Sequence, residues 1–321
     1  MSMRRVHAPL ADAMLAPLEP DCGVVGVYSA LSDIEAARLA EVMAGRPDVY
    51  LIVRSDSAWR RLEPVADLDF LRYFPWLTRL AVLCNGLKNI DGLTHLRQPR
   101  RLDIHSSQSR TVSAVPLAAT GGSLRHLSLE IPVSKVEALS ELTGLITLTL
   151  RTVRMPDLAV LTPIAGLRGL DLKLGGTRDL SLLPSFTRLQ YFEAWLVRGL
   201  SDVSPLAEVP SLEEIFLESL RNVTELPPLD NLSRLRSITL RFMKGLTDLN
   251  PLLTAPALEE VSLTLEQLQP EDIAPLAAHP TLKRAHISLG SDRKDALAEA
   301  ALGLPPDDGG SPSVLQALRQ S

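Results

Sequence analysis

Aromatic residues make up only 4% of this 321-residue chain, so few large rings are available to build a globular core or line a cofactor pocket. Two cysteines, Cys22 and Cys84, are too few for a disulfide framework and suit a reducing compartment. No apolar run approaches the roughly 20 residues that span a bilayer. The N-terminal stretch also lacks a signal-peptide core, since Asp12, Pro17, Glu19 and Pro20 break it up. A soluble, cytoplasmic protein is expected. There is no long basic run either: 33 basic residues stand against 38 acidic, a net charge of −5, which disfavours nucleic acid and anionic membranes. Finally, C-x-x-C, H-E-x-x-H and the phosphate-cradling G-x-x-x-x-G-K-[ST] are all missing, so no metal, nucleotide or other cofactor is expected.

What the chain has instead is leucine at regular intervals. Units of the form L-x-x-L-x-L recur roughly every 23 residues from Leu77 almost to the C-terminus. Their central apolar residues are Leu80, Leu102, Leu127, Leu148, Leu170, Phe192, Ile215, Ile238, Val261 and Ala285. Alternation around each anchor predicts a short strand with one buried face. The second half of each unit carries turn chemistry. Ser204-Pro205 and Asn250-Pro251 read as an N-cap followed by proline in the first helical turn. An acidic or amide residue recurs at Asn89, Asp157, Asp179, Asp202, Glu225, Asp248 and Asp272. Such a column could suggest a metal array, but turn and cap chemistry explains it better.

The stretch LTRLAVLCNGLKNIDGLTHL at 77–96 resembles a full leucine-rich repeat, and SDVSPLAEVPSL and TDLNPL resemble the 22-residue, internalin-like bacterial class. The resemblance covers roughly residues 76–290, about ten repeats. It implies an α/β solenoid with a parallel concave sheet, short helices or turns on the convex side, and protein binding on the concave face. The asparagine ladder of that family is clear only at Asn85, so the inner ladder should be irregular, with water or backbone pairing in its place. Residues 1–22 read as a loose lead-in. An α/β capping unit is expected over 23–75, with a strand at 24–28, a capping box from Ser32 to Glu35, a helix to Ala44 and a strand at 49–53. Trp59, Leu62, Leu68, Leu71 and Phe74 add apolar bulk to it. A capping helix is expected over 291–303 and a flexible tail over 304–321.

Two weaker signals bear on chemistry. CGVVGVYS at 22 resembles the start of class II glutamine amidotransferases, but the match ends after eight residues and the downstream His-Arg-Gly phrase is missing. A small apolar residue opening a strand is the better reading of Cys22. His105 and His126 fall on successive repeats without an evident third ligand, so surface histidines are favoured over a metal pair. No catalytic residue is assigned, and the chain is expected to be non-enzymatic.

The candidate partner-binding surface is therefore the outward side of the strands. Tyr191, Trp195 and Phe216 fall there on two adjacent strands, ringed by Glu193, Glu214 and Glu218. Arg151, Lys173 and Arg241 supply positive charge nearby. Exposed rings with a charged rim are the composition of interface hot spots. The expected function is a non-enzymatic scaffold binding a protein partner, a regulator or immunity-type inhibitor being the narrower form, and the expected state is a monomer. An enzyme or small-ligand binder using the N-terminal unit is the alternative.

Overall fold

A computed structural model describes residues 2–55, 63–106, 110–305 and 313–320. The chain divides into two compact units, Met1–Val153 and Arg154–Ser321.

In the first unit, β1 (Ser2–Val6) and β2 (Cys22–Val27) lead into α1 (Asp33–Met43) and β3 (Tyr50–Ser55). Then come β4 (Arg79–Cys84), β5 (Arg101–His105), β6 (Val112–Ser113), α2 (Val115–Ala118), β7 (His126–Glu130), β8 (Val133–Ser134) and β9 (Thr147–Arg151). The main sheet has the order β1-β2-β3-β4-β5-β7-β9, and every pair in it is parallel. Strands β6 and β8 form a small sheet of their own. In the second unit the main strands are β10 (Gly169–Lys173), β11 (Tyr191–Trp195), β12 (Glu214–Glu218), β13 (Ser237–Arg241), β14 (Glu260–Thr264) and, after α3 (Pro270–Ile273), β15 (Arg284–Ser288). These too pair in parallel and in chain order. Helices α4 (Asp292–Leu302) and α5 (Val314–Gln320) complete the chain.

The leucine anchors explain this order. Leu80 faces Leu102, Leu102 faces Leu127, and Leu127 faces Leu148. Leu170, Phe192, Ile215, Ile238, Val261 and Ala285 stack in the same way in the second unit. Because strand side chains alternate with a period of two, a slip by one residue would turn every anchor out of the core. In the repeat at 77–96, Leu77, Leu80, Val82, Leu87, Ile90, Leu93 and Leu96 are all buried. Each such side chain contributes roughly 1.5–3 kcal/mol when taken out of water. No single unit can bury its own leucines, so the stacking of neighbours is what makes the segment fold.

Five of the seven recurring acidic and amide residues form turns of one kind. The side chains of Asn89, Asp157, Asp179, Asp202 and Asp248 each accept the backbone N–H two residues on, at 2.7 to 3.0 Å. This is local side-chain-to-backbone bonding at the entry to a one-turn 3-10 helix. Ser204 and Asn250, expected as caps, instead begin those short helices and make no capping bond. Asp202 and Asp248, two residues upstream, take that role. Asp272 differs again, accepting from the Gln269 N–H at 2.8 Å in a capping box at α3.

Three expectations about the ladder and the ends need correcting. Residues 1–22 are not merely a lead-in, because Ser2–Val6 pairs with β2 and extends the parallel ladder. Val25 and Leu51 also share the anchor column with Leu80, so the capping unit is built on the same stack. The inner ladder is regular in the second unit. The residue after each strand bonds the last carbonyl of the next: Leu174 to Trp195, Leu196 to Glu218, Ser219 to Arg241 and Phe242 to Thr264, at 2.8 to 2.9 Å. These bonds lie one position before the equivalents of Asn85, which are Gly175, Val197, Leu220 and Met243, and carry the backbone ladder one step past the strands. Leu174, Leu196, Ser219 and Phe242 all adopt positive φ there, near 50–57°, whereas Leu265 makes the same bond, to Ser288, without it. The third correction is α5, which lies within the segment expected to be a flexible tail.

The capping expectations hold where side chains decide them. Ser32 and Glu35 form a reciprocal capping box at α1. Ser291 caps α4, and Gly303 ends it in the left-handed conformation. Phe74 packs edge-on against Phe70 and tilted against Trp76. Trp59 and Leu62 lie outside the described residues.

A left-handed backbone costs a non-glycine residue on the order of 1–2 kcal/mol. The Ser219→Gly variant removes that strain at φ 57° and is expected to stabilise the protein by up to about 1 kcal/mol, net of the added freedom of the unfolded chain. Urea unfolding checks it; a destabilised variant would show that the Ser219 side chain matters more than its backbone.

Candidate functional site

Strand register sorts the outward side chains of the second unit into columns. Gly169, Tyr191, Glu214, Ser237, Glu260 and Arg284 form the first. Asp171, Glu193, Phe216, Thr239, Ser262 and His286 form the second, and Lys173, Trp195, Glu218, Arg241, Thr264 and Ser288 the third. Tyr191, Trp195 and Phe216 therefore do share one face on adjacent strands, with Glu193, Glu214 and Glu218 among them.

Their exposure is unequal. Phe216, Trp195, Glu214, Glu218, Lys173 and Arg241 are half-buried, whereas Tyr191 and Glu193 are buried, and Asp171 is fully so. The expectation of an exposed Tyr191 is thus corrected. Its hydroxyl donates to Glu193 at 2.5 Å. Glu193 and Asp171 are in turn bridged by the Lys173 ammonium, at 3.2 and 2.8 Å. Two carboxylates sharing one cation in a buried place leave a charge imbalance. Burial first, and then Glu193, push Asp171 up to about 6, against the pull of Lys173. Burial, with the same Glu193, also raises the Tyr191 hydroxyl, which keeps it a donor.

Glu214 is held differently. It accepts from the Ser313 hydroxyl at 3.1 Å and from the Val314 N–H at 2.6 Å, both at the start of α5. Burial raises its pKa, although those two donors oppose the shift. Farther along the face, Arg241 lies 4.0 Å from Glu218, and Arg284 meets Glu260 at 2.9 Å.

Arg151 belongs to the first unit, where it lies 3.3 Å from Glu130. His105 meets the same carboxylate at 3.2 Å, while His126 faces the Thr147 hydroxyl at 3.0 Å. The two histidines thus sit at opposite ends of neighbouring strands. Among the described residues, no group of three or more His, Cys, Asp or Glu side chains could hold a metal ion. Sequence reading missed one cluster here. Tyr50 donates to Asp103 beneath the guanidinium of Arg79, 4.9 Å from its ring, while Arg101 pairs with Asp103 at 2.8 Å. The signal was the arginine pair at 79 and 101, but Tyr50 lay in a segment with no leucine motif.

Cys22 is buried at the start of β2, its thiol donating to the Val24 carbonyl, which leaves no access for a nucleophile's substrate. Burial raises Cys84 to about 11. A groove of about 430 Å³ in the second unit is lined by Leu196–Leu200, Ser219, Arg221 and Asn222, turn residues without an acid–base pair.

No family model matches the chain, and no curated protein matches it. Solved structures do. An internalin of Listeria monocytogenes is 17% identical over 90% of this chain and 79% of its own, with a TM-score of 0.59. A leucine-rich repeat protein of Leptospira interrogans is 16% identical over 88% and 83%, with a TM-score of 0.57. This is a leucine-rich repeat fold. At such identities the likeness establishes architecture, and the chemistry has to come from this chain's own residues. On the outward face of the repeat protein's second unit lie the network Tyr191–Glu193–Lys173–Asp171 and the half-buried Trp195, Phe216, Glu214, Glu218 and Arg241. No described helix is long and apolar enough to cross a membrane.

The raised Asp171 gives a signed expectation. The native state holds this proton more tightly than the unfolded chain does. Its contribution to stability is complete below pH ~4 and is lost as pH rises through about 6. Asp171→Asn removes that contribution. The stability of wild type relative to the variant is therefore expected to fall by about 2–3 kcal/mol between pH 4 and pH 7 in urea unfolding. A constant or rising difference would contradict the buried-carboxyl account.

Proposed function

We propose that the protein is a non-enzymatic binding scaffold that takes a protein partner on the outward face of its second unit. One observation carries this reading: Trp195, Phe216, Glu218 and Arg241 are side chains with accessible surface on three adjacent strands locked in register. Rings of this kind, set on a rigid sheet, bind without first having to be ordered. Mixed charge at their edges suits orientation of a protein better than it suits a phosphate backbone. Both cysteines are buried as free thiols, which fits a cytoplasmic setting. A regulator or immunity-type inhibitor, monomeric in its free state, is the narrower form of the proposal.

Affinity capture with the full chain, followed by mass spectrometry, identifies the partner, and titration of the Trp195→Ala and Phe216→Ala variants tests the surface. Removing a hot-spot ring costs about 2 kcal/mol or more, a roughly thirtyfold loss of affinity. Phe216→Ala is expected to show that loss while thermal stability moves by about 0.5 kcal/mol or less. Full retention of the partner by both variants would place the binding surface elsewhere. Arg79, Arg101 and Arg151 in the first unit would be examined next.

A further inference from the structure

The outward face of the second unit already carries a ligand, and it is the chain's own C-terminus. Helix α5 is seven residues long, well under the roughly 12 residues an isolated helix needs to persist in water. Its order therefore comes from what it rests on. At one end, Ser313 and the Val314 N–H bond Glu214 on β12. At the other, Arg319 acts electrostatically on Asp171 of β10, helping to offset the rise in that carboxyl's pKa. The dimensions agree: six residues of helix rise about 9 Å, and two strand spacings are about 9.6 Å. Helix α5 thus starts against β12, and the charge of Arg319 near its other end reaches Asp171 on β10. Leu315 and Leu318, three apart on one side, are buried, while Gln316 and Ala317 between them are exposed. Charge fits as well. Glu214 accepts the N–H of Val314 at the start of the helix, and the Asp171 carboxyl feels the guanidinium of Arg319.

We infer that α5 is a displaceable occupant of the partner site, and that the partner presents an amphipathic helix of the same chemistry. That chemistry is two apolar side chains three residues apart, followed by a basic one, with free N–H groups at the N-terminus for Glu214. The inference rests on the reading of this face as a partner site. Because α5 is tethered to the face it covers, it competes at an effective concentration on the order of millimolar. A free ligand of similar strength is therefore largely excluded until it binds more tightly than α5 or until α5 is released.

The test uses the full chain and a fluorescein-labelled peptide of sequence SVLQALRQ, residues 313–320. Leu315→Asp/Leu318→Asp in the full chain releases the helix without touching the face. The released variant is expected to bind the peptide by fluorescence anisotropy at least about tenfold more tightly than wild type does. Adding Glu214→Ala to the released variant should weaken the peptide again. Circular dichroism and thermal melting verify that each variant is folded. If the double variant loses its cooperative melt, Leu318→Ser replaces it. Equal binding to wild type and released variant, or none to a folded released variant, would overturn the inference. So would a wild-type dimer on size exclusion that the double variant abolishes, since the helix would then serve a second copy. The two proposals fail separately. A peptide that binds only the released variant, with no protein captured by either form, removes the partner reading alone. A protein partner bound equally by both forms removes the occupant alone.

Discussion

Everything in this molecule depends on register between parallel strands. The anchor residues are apolar at intervals of about one repeat, and each can be buried only if the next strand arrives at the same height. Leu170 opposite Phe192, then Ile215, Ile238 and Val261, form a continuous line in which every member is sealed by its neighbours. Hydrophobic burial supplies the drive and the backbone ladder supplies the precision. Once that line is set, the outward columns are set too, because side chains alternate across the pleat.

The corners of the repeats are the local cost of that arrangement. Leu174, Leu196, Ser219 and Phe242 sit at positive φ where the chain leaves the strand, and their N–H groups bond the next strand's last carbonyls. Strain on this scale persists only where the surroundings over-determine the backbone. Here they do: the strand before each corner is fixed, and after three of the four corners comes a buried residue, Val197, Leu220 or Met243. The Asx turns at Asp157, Asp179, Asp202 and Asp248 serve the opposite side of the repeat in the same economical way. One side chain satisfies one orphaned N–H where a full helix would need a longer segment.

The outward face of the second unit is where this regular scaffold becomes individual. Buried Asp171 and Glu193 share Lys173, Tyr191 is drawn down onto Glu193, and Glu214 is engaged by the start of α5. A polar network of this kind does little for stability, since desolvating the carboxylates offsets most of the pairing. On the binding reading proposed above, its role is specificity, through what it lets lie across the strands. A helix bringing N–H groups and one cation satisfies the network, whereas an acidic ligand would be repelled.

How much of this was legible beforehand follows from the range of the forces involved. The sequence by itself determined the repeat, its strands and the set of residues that face outward, because period-two alternation and a period of about 23 residues are local properties of the chain. It also determined the turn role of the recurring aspartates, an interaction spanning two residues. It misplaced the cap at Ser204 and Asn250, because proline after them suggested a helix start that the upstream aspartate in fact controls. It could not show that β1 joins the ladder, since Ser2–Val6 carries no leucine motif and pairs only because β2 offers an open edge. Tertiary structure alone decided that Tyr191 is buried and Lys173 bridges two acids. It alone decided that Ser313 and Val314, about a hundred residues along the chain from Glu214, come to bond its carboxylate. A seven-residue segment has no stable structure of its own to be read, and its start is held by a carboxylate a hundred residues away.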